Sequence, residues 1–382
     1  MEGRAIVSPA ARLVGIDLAR LVAVVGMMAA HTMLLAEPAP PDAVVALVDG
    51  PPSTLFAVLG GVSVVLAARQ RLAAGDRRGA VASTLVRGAV VAMLGIVVAP
   101  LASAVFVVLV PFGVAIAISG AMLLLPSWSL GLALAVLWAV GGSVVAIARE
   151  RFGSADDGVL EAALGVVLTG VYPVVTWLAY LLVGMLVARA LLAARAAGTE
   201  RRALVLIALV GAALLAAAVA TSEIGVRLVA ERVLDAPLDS ARDTILANGY
   251  GAAPGTDAAW QLVAAPHTGT PTDMARTVGI ALLVIGALGL LSAALPRRAL
   301  RAIEPLRAAG AAPLTIYVVH VVLVALLVSL PGTAAMDARL AWAVQVAVAI
   351  AIGALLAATG SRGPLERMVG WFADRAPQRS AA

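Results

Sequence analysis

The sequence of 382 residues contains no cysteine and no lysine, and only 13% of its residues are charged. The absence of cysteine excludes disulfide bonds, a cysteine nucleophile, and metal or cluster sites built from thiolates. Because lysine is absent, arginine alone supplies the 27 basic side chains that outweigh 22 acidic ones and give a net charge of +5. Histidine occurs only three times. The histidines are therefore the first candidates for proton transfer near neutral pH.

Long apolar runs dominate what remains, with 62% hydrophobic residues and a mean hydropathy of +1.03. No ordinary soluble domain has this composition, whereas a polytopic helical membrane protein does. We predict an all-α integral membrane bundle of about ten transmembrane helices, each roughly 20 residues long, in the plasma membrane. The runs place these helices at 14–35, 53–69, 84–100, 103–125, 127–148, 173–194, 203–221, 274–295, 311–330 and 338–359.

Three local features refine this prediction. The apolar run at 159–172 is too short for an ordinary span and is expected to be re-entrant or interfacial. Pro111 predicts a kink in the fourth helix, because proline breaks the helical hydrogen-bond pattern. Gly60 and Gly61 predict the close approach of a neighbouring helix.

Arginine placement predicts the orientation of the chain. Clusters of arginine at 69–87, 189–202, 297–307 and 362–379 follow even-numbered predicted helices. By the positive-inside rule, both termini are then cytoplasmic. We therefore expect one transmembrane domain over residues 1–360, with an extracytoplasmic loop at 222–273, and a loose basic cytoplasmic tail at 361–382.

A polar stripe is predicted on the first helix, RLVGIDLARLVAVVGMMAAH, which carries Asp17, Arg20 and His31. Ionisable residues inside a membrane are costly and are functional candidates by default. Asp17 lies within reach of Arg20, and Arg20 and His31 lie within about 20° of one helix face and about 16 Å apart. Two alternatives stay open. Arg20 could snorkel to the cytoplasmic surface, and His31 could cap the outer end of the helix.

The other two histidines lie far along the chain. His320 follows Tyr317 by about one turn in LTIYVVHVV, and we expect it at a depth comparable to that of Arg20. An interhelical hydrogen bond would explain His320 equally well. His267 lies in the outer-loop stretch APHTGTPTDM, where a structural or solvated role is the alternative.

Other recognised site patterns are missing. The sequence contains neither an HExxH motif nor a Gly-x-Ser-x-Gly elbow, and its three histidines lie on separate segments. We therefore predict no metal site. Asp49 and Asp273 are further acidic residues expected near helix ends on the outer face, and Asp273 could simply begin a helix.

Three separated motifs resemble transmembrane acyltransferases, in particular the bacterial heparan-α-glucosaminide N-acetyltransferase-like and YeiB-like branch. The first is GIDLAR closed by MMAAH, with an arginine, ten residues and a histidine; the branch often has Gly where Leu21 stands and Asn where His31 stands. The second resembles a Y-P-x-x-x-W helix and the third a G-x-x-x-L-T-x-Y signature. They comprise Tyr172, Pro173 and Trp177, and then Gly310, Leu314, Thr315 and Tyr317. An interfacial aromatic belt is the alternative for the second motif.

The resemblance implies an enzyme that moves an acyl group, expected to be acetyl, from cytoplasmic acyl-CoA to an extracytoplasmic sugar or lipid-linked glycan of the cell envelope. The thioester is already activated, so no metal is required. A histidine could deprotonate the acceptor or form a short-lived acyl-enzyme, and both routes stay open. The candidate catalytic residues are His31, His267 and Asp17, and the candidate donor-binding residues are Arg20, His320 and Tyr317.

The expected partners are membrane lipids, acyl-CoA and the glycan acceptor, without nucleic acid, and a homodimer stays open. The alternative function is a transporter or export accessory for a lipid-linked or small polar solute. In that case Asp17, Arg20 and His320 would relay protons.

Overall fold

The computed structural model describes residues 14–34, 40–102, 105–153, 158–329 and 337–376. Every regular element within these ranges is helical, as predicted. The α-helices are α1 (Val14–Met33), α2 (Asp42–Val48), α3 (Pro51–Ala73), α4 (Arg77–Val98), α5 (Leu109–Met122), α6 (Ser127–Phe152), α7 (Val159–Leu164), α8 (Val174–Ala196), α9 (Glu200–Arg232), α10 (Leu238–Ile245), α11 (Pro271–Ala294), α12 (Arg297–Ala302), α13 (Glu304–Gly310), α14 (Pro313–Ser329), α15 (Ala338–Thr359) and α16 (Pro364–Asp374).

Within the described ranges, eight helical segments are long and apolar enough to cross a membrane, and the number rises to nine if α13 and α14 form one bent span. The predicted fourth helix accounts for part of the difference from ten. It is the 14-residue α5 rather than 103–125, of which 103–104 lie outside the described ranges. At 1.5 Å per residue α5 is about 21 Å long, shorter than a hydrocarbon core of about 30 Å. The count of ten and the cytoplasmic termini stay predictions.

Pro111 does not interrupt α5. It is the third residue of that helix, in the first turn, where backbone N–H groups have no partner within the helix. The expected kink is therefore wrong. Helix α5 begins at Leu109, only two residues before Pro111, so the proline removes no hydrogen bond within the helix. The run at 159–172 forms the short α7, followed by a π-helical turn at Gly165–Thr169.

The core of the bundle lies around α3 and α8, the most deeply buried of the candidate spans. Gly61 of α3 faces the carbonyl of Leu181, and Gly184 of α8 faces the carbonyl of Val58, with no room for a Cβ atom at either glycine. Small residues on both helices allow their backbones to touch, which is how helices associate in a membrane. The expected close approach at Gly61 is confirmed.

The segment at 222–273 is structured. It contains the end of α9, the whole of α10 and a 3-10 turn at Ala258–Leu262. Val226, Ile245 and Trp260 pack together in a small core of their own. This core gives the residues of the 222–273 segment fixed positions next to the ends of α9 and α11.

The first half of the expected loose tail is helical, and residues 377–382 lie outside the described ranges. Val369 and Ala373 of α16 are four residues apart and buried, so one helix face packs on the bundle. Glu366 accepts hydrogen bonds from the backbone N–H groups of Leu314 (2.7 Å) and Thr315 (3.1 Å). The tail therefore caps the N-terminus of α14, the helix that carries His320.

Candidate active site

His31 and His320 meet inside the bundle. Nδ1 of His31 lies 2.7 Å from Nε2 of His320, and the two rings are parallel to within 6°. His31 is in the last turns of α1, whereas His320 is in the middle of α14 and has no exposed surface. The two histidines are 289 residues apart in sequence and form one hydrogen-bonded unit.

Gln345 extends this unit. Its side-chain oxygen accepts a hydrogen bond from Nδ1 of His320, and its Nε2 donates to the carbonyl of Ala341 at 3.2 Å. Gln345 is in α15 and is completely buried. Sequence reasoning did not single it out. Its signal was a lone amide in an apolar helix, because a polar side chain in a membrane span needs a partner.

His267 forms a second pair, with Asp49. Nε2 of His267 lies 3.3 Å from Oδ1 of Asp49, which also accepts a hydrogen bond from Nδ2 of Asn248 at 2.9 Å. A carboxylate beside an imidazole fixes the orientation of the ring. The pair joins the 222–273 segment to the short segment between α2 and α3.

The backbone of His267 is held in an uncommon conformation, with φ = +55°. Non-glycine residues rarely adopt such a conformation unless the surrounding structure enforces it. Here Gly251 N–H donates to the carbonyl of His267 (2.6 Å), and Arg149 donates to the carbonyls of Gly249 (3.0 Å) and Tyr250 (2.7 Å). Arg149 thus fixes the turn at Gly249 and Tyr250, and the next residue of that turn, Gly251, binds the carbonyl of His267. Sequence reasoning missed this role of Arg149.

Two of the three histidines face the same cavity. His31 contributes from α1, His267 from the segment before α11 and Tyr317 from α14. Tyr317 uses its hydroxyl to accept a hydrogen bond from Val108 N–H at 3.3 Å. The remaining walls are formed by Met27, Ala30, Val48, Gly50, Pro52, Ser53, Phe106, Val108 and Tyr172.

A second cavity adjoins the first and shares Tyr172 and His267 with it. The ring of Tyr172 meets those of Trp177 and His267 edge-on, with centroids 5.5 and 5.9 Å apart. Trp177 is only 3% exposed, so it lines the interior instead of a lipid-facing belt. Burial raises the pKa of the Tyr172 hydroxyl, which therefore stays neutral and can donate a hydrogen bond.

Hydroxyl groups and one carboxylate complete this second cavity. Ser53, Thr54, Thr176 and Thr277 line it together with Asp273. Asp273 lies in the first turn of α11, where it accepts a hydrogen bond from Gly269 N–H (3.2 Å) and pairs with Arg276 (3.2 Å). It is therefore both a helix-start residue and part of a cavity wall. The mixture of aromatic, hydroxyl and carboxylate groups can bind a polar molecule.

Asp17 and Arg20 lie apart from the histidines, in a separate ionic cluster. The two oxygens of Asp17 pair with Arg20 (2.7 Å) and Arg307 (3.0 Å), and Arg20 also donates to Ser63 at 3.0 Å. Arg307 in turn pairs with Glu304. The cluster joins α1, α3 and α13. Arg20 therefore does not simply snorkel to the surface, and Asp17 has no contact with a histidine.

The expected common depth of Arg20 and His320 is wrong. The segments α13 and α14 meet at an angle of 81°, and Gly310, at the end of α13, lies against the backbone of Asp17. Helix α14 therefore begins beside the inner part of α1 instead of at its end. His320, seven residues after the start of α14, contacts His31 rather than Arg20.

These features define a class: a polytopic bundle of apolar helices whose interior holds two histidines facing one cavity. Residues 12–217 match the family described as heparan-alpha-glucosaminide N-acetyltransferase, catalytic. The match covers more than half of the chain, which belongs to this family of membrane acetyltransferases, and the predicted family is confirmed. No curated protein matches the chain significantly.

The family match divides the site. The matched residues include His31, Asp49 and Tyr172, whereas His267, His320 and Gln345 lie beyond residue 217. Enzymes of this family are acetyl-CoA-dependent in general. Within the described residues, no group of three or more histidine or acidic side chains could hold a metal ion.

Proposed function

We propose that this protein transfers an acyl group, most simply acetyl, from cytoplasmic acyl-CoA to an extracytoplasmic sugar or glycolipid. The observation that carries the proposal is that His31 and His267, each in contact with its own polar side chain, line one cavity. Membership in the acetyltransferase family supports this function over transport. The proposed membrane is the plasma membrane, with α16 and the loop at Gly75 on its cytoplasmic side.

On the donor side, the charge pattern suits coenzyme A. Arg69, Arg77 and Arg78 are exposed around the connection between α3 and α4. Guanidinium groups bind phosphate well, so they can attract the anionic end of the donor. The pantetheine arm would then pass Arg20 on the inner side of the bundle, and the thioester would reach Tyr317 at the cavity wall.

In the transfer step, the acceptor hydroxyl or amine attacks the thioester carbonyl. Nε2 of His31 removes the proton of the acceptor as its bond to the acyl carbon forms. The carbon–sulfur bond breaks, and the thiolate of CoA leaves and takes up a proton. His267, which borders the same cavity beside Asp49, is the proposed source of that proton. A histidine that attacks first and carries the acyl group would use the same two residues.

On the acceptor side, the second cavity carries groups that suit a sugar. Trp177 and Tyr172 offer aromatic rings, Thr176 and Ser53 offer hydroxyls, and Asp273 offers a carboxylate. Such a combination of apolar faces and a few placed polar groups orients a small polar molecule. An acceptor held there would lie next to His267, which borders both cavities.

Two measurements test this function. The purified protein in lipid nanodiscs is incubated with radiolabelled acetyl-CoA and a panel of amino sugars and lipid-linked sugars, and free CoA and labelled product are quantified. In parallel, mass spectrometry compares cell-envelope glycans and lipids with and without the gene. We expect acceptor-dependent release of CoA and one missing acylated species. Unchanged envelope glycans and lipids, together with no acceptor-dependent CoA release, would contradict the proposal.

A further inference from the structure

Gln345 is a fully buried amide in the middle of a membrane-spanning helix. A buried amide that lacks partners is costly, so its position in an apolar run calls for a compensating contact. Its neighbours along α15 are Val344 and Val346. Its hydrogen bond with His320 joins α15 to α14, whereas its bond to the carbonyl of Ala341 stays within α15. The other side chain in these bonds is His320, which in turn contacts His31.

The direction of the amide is determined by its two contacts. Nε2 of Gln345 can only donate, and it donates to the carbonyl of Ala341 at 3.2 Å. The oxygen of the amide can only accept, and it faces Nδ1 of His320. Nδ1 of His320 must therefore carry a proton.

The protonation of the other ring nitrogens of His320 and His31 follows from the proton on Nδ1 of His320. A neutral imidazole has one N–H and one acceptor nitrogen, so Nε2 of His320 is an acceptor when Nδ1 is protonated. Nδ1 of His31 then donates across the 2.7 Å contact. This leaves Nε2 of His31 with a free lone pair, and no described residue hydrogen-bonds to that atom. His31 lines the cavity.

We infer that Gln345 is a positioning residue that fixes the tautomers of His320 and His31, so that His31 presents Nε2 as a proton acceptor to the cavity. The inference deepens, and for its kinetic part rests on, the proposed acyl transfer. When Nε2 of His31 takes the acceptor's proton, the Nδ1 proton of His31 can pass to Nε2 of His320. The new positive charge is then shared by both rings, and the Gln345 oxygen accepts from the charged one.

The tautomers can be measured without any substrate. The full-length protein is labelled with ¹⁵N-histidine in nanodiscs, and ¹⁵N NMR distinguishes protonated from unprotonated ring nitrogens. Only three histidines contribute, and a His267→Gln variant assigns the third. At a pH where both rings are neutral, we expect Nδ1 protonated and Nε2 unprotonated in both His31 and His320. A protonated Nε2 on neutral His31 overturns the inference.

Two variants separate the positioning role from a packing role. Gln345→Met keeps the volume but removes the acceptor, and Gln345→Glu keeps an acceptor at the same chain length. We expect Met to change the protonation pattern and to lower kcat about 10–100-fold with KM little changed, as for other partners that orient a histidine. Glu should retain the wild-type pattern at His31.

The outcomes divide cleanly. An unchanged NMR pattern in folded Gln345→Met contradicts the inference, whatever the activity. If the Met variant does not fold, the wild-type spectrum and the Glu variant decide. If the tautomers behave as expected but no acyl transfer is found with any acceptor, the proposed function fails while the tautomer assignment stands.

Discussion

His31 and His320 share a hydrogen bond of 2.7 Å, although 289 residues separate them along the chain. Two protonated imidazoles at this distance would repel each other strongly in a buried site, so the pair carries at most one additional proton. Because only His31 of the pair lines the cavity, proton exchange with a bound molecule must pass through His31. This relationship gives His31 a different role from that of its fully buried partner.

Replacing His31 with alanine should abolish acyl transfer while the protein stays folded and inserted. The loss of a positioned base costs about 10²–10⁴-fold in turnover. Turnover of the purified variant with acetyl-CoA measures this, with detergent-based thermal stability recorded alongside. His31→Gln controls for the loss of the contact with His320, since the amide of glutamine can still reach that ring. Near wild-type turnover in the alanine variant would remove His31 from the mechanism and pass the acid–base role to His267.

Replacing Asp49 with alanine should lower turnover through His267. The carboxylate holds the ring in place, and the loss of such a partner costs about 10–100-fold in activity. Asp42→Ala is the matched control, because Asp42 lies seven residues earlier in the same outer segment and is exposed. The kcat values of both variants decide the point. Equal effects of the two substitutions would mean that Asp49 acts only through surface charge.

Arg20 and Asp17 should affect stability more than chemistry. Arg20→Ala leaves Asp17 paired with Arg307, whereas Asp17→Asn leaves two arginines without their shared carboxylate. Removing one member of a buried ion pair costs about 3–5 kcal/mol, so Asp17→Asn should approach that range and Arg20→Ala should cost less. Arg20→Lys should fall between wild type and Arg20→Ala, because lysine cannot contact Asp17 and Ser63 with one planar group.

Thermal unfolding in detergent and acetyl-CoA affinity, both measured for the three variants, separate the two roles. A stable Arg20→Lys protein that has lost acetyl-CoA binding would assign Arg20 to the donor site. Wild-type behaviour in all three variants would contradict the ionic cluster as a stabilising feature.

Topology reporters should place Gly75 in the cytoplasm and Gly255 outside. The expectation rests on the arginine asymmetry of the loops. Gly75 has positive φ and open space around it, so a fusion there should be tolerated. Gly198, which has the same two properties in the connection between α8 and α9, is the control and should report the same side as Gly75. Gly75 and Gly255 on one side would overturn the orientation and the outer position of His31.

The sequence by itself determined which segments are helical. Apolar runs near 20 residues long must form helices in a bilayer, because only a helix satisfies the hydrogen-bonding groups of the backbone within one segment. This explains why α3, α8 and α15 lie close to their predicted bounds. It also explains the error at α5. Hydropathy detects that a segment is apolar, whereas the residue at which a helix begins depends on contacts with other parts of the chain, which hydropathy does not show.

The motifs, read from the sequence, also indicated the family and all three histidines. Their scarcity made this possible, since few other side chains in the chain can exchange protons near neutral pH. What each histidine contacts depended on the tertiary structure. The chain bends by 81° between α13 and α14, and in the folded bundle His320 contacts His31 instead of Arg20.

Only the tertiary structure shows which side chains contact the histidines. Asp49 and His267 are 218 positions apart, and Gln345 is 25 residues beyond His320 in the next helix. Helical periodicity relates residues only within one helix, so it cannot specify which faces of different helices meet. In a membrane those contacts are selected by the packing of small residues and by the need of each buried polar group for a partner. In the tertiary structure His31 and His320 therefore form one hydrogen-bonded pair, and His267 pairs with the carboxylate of Asp49 beside the same cavity.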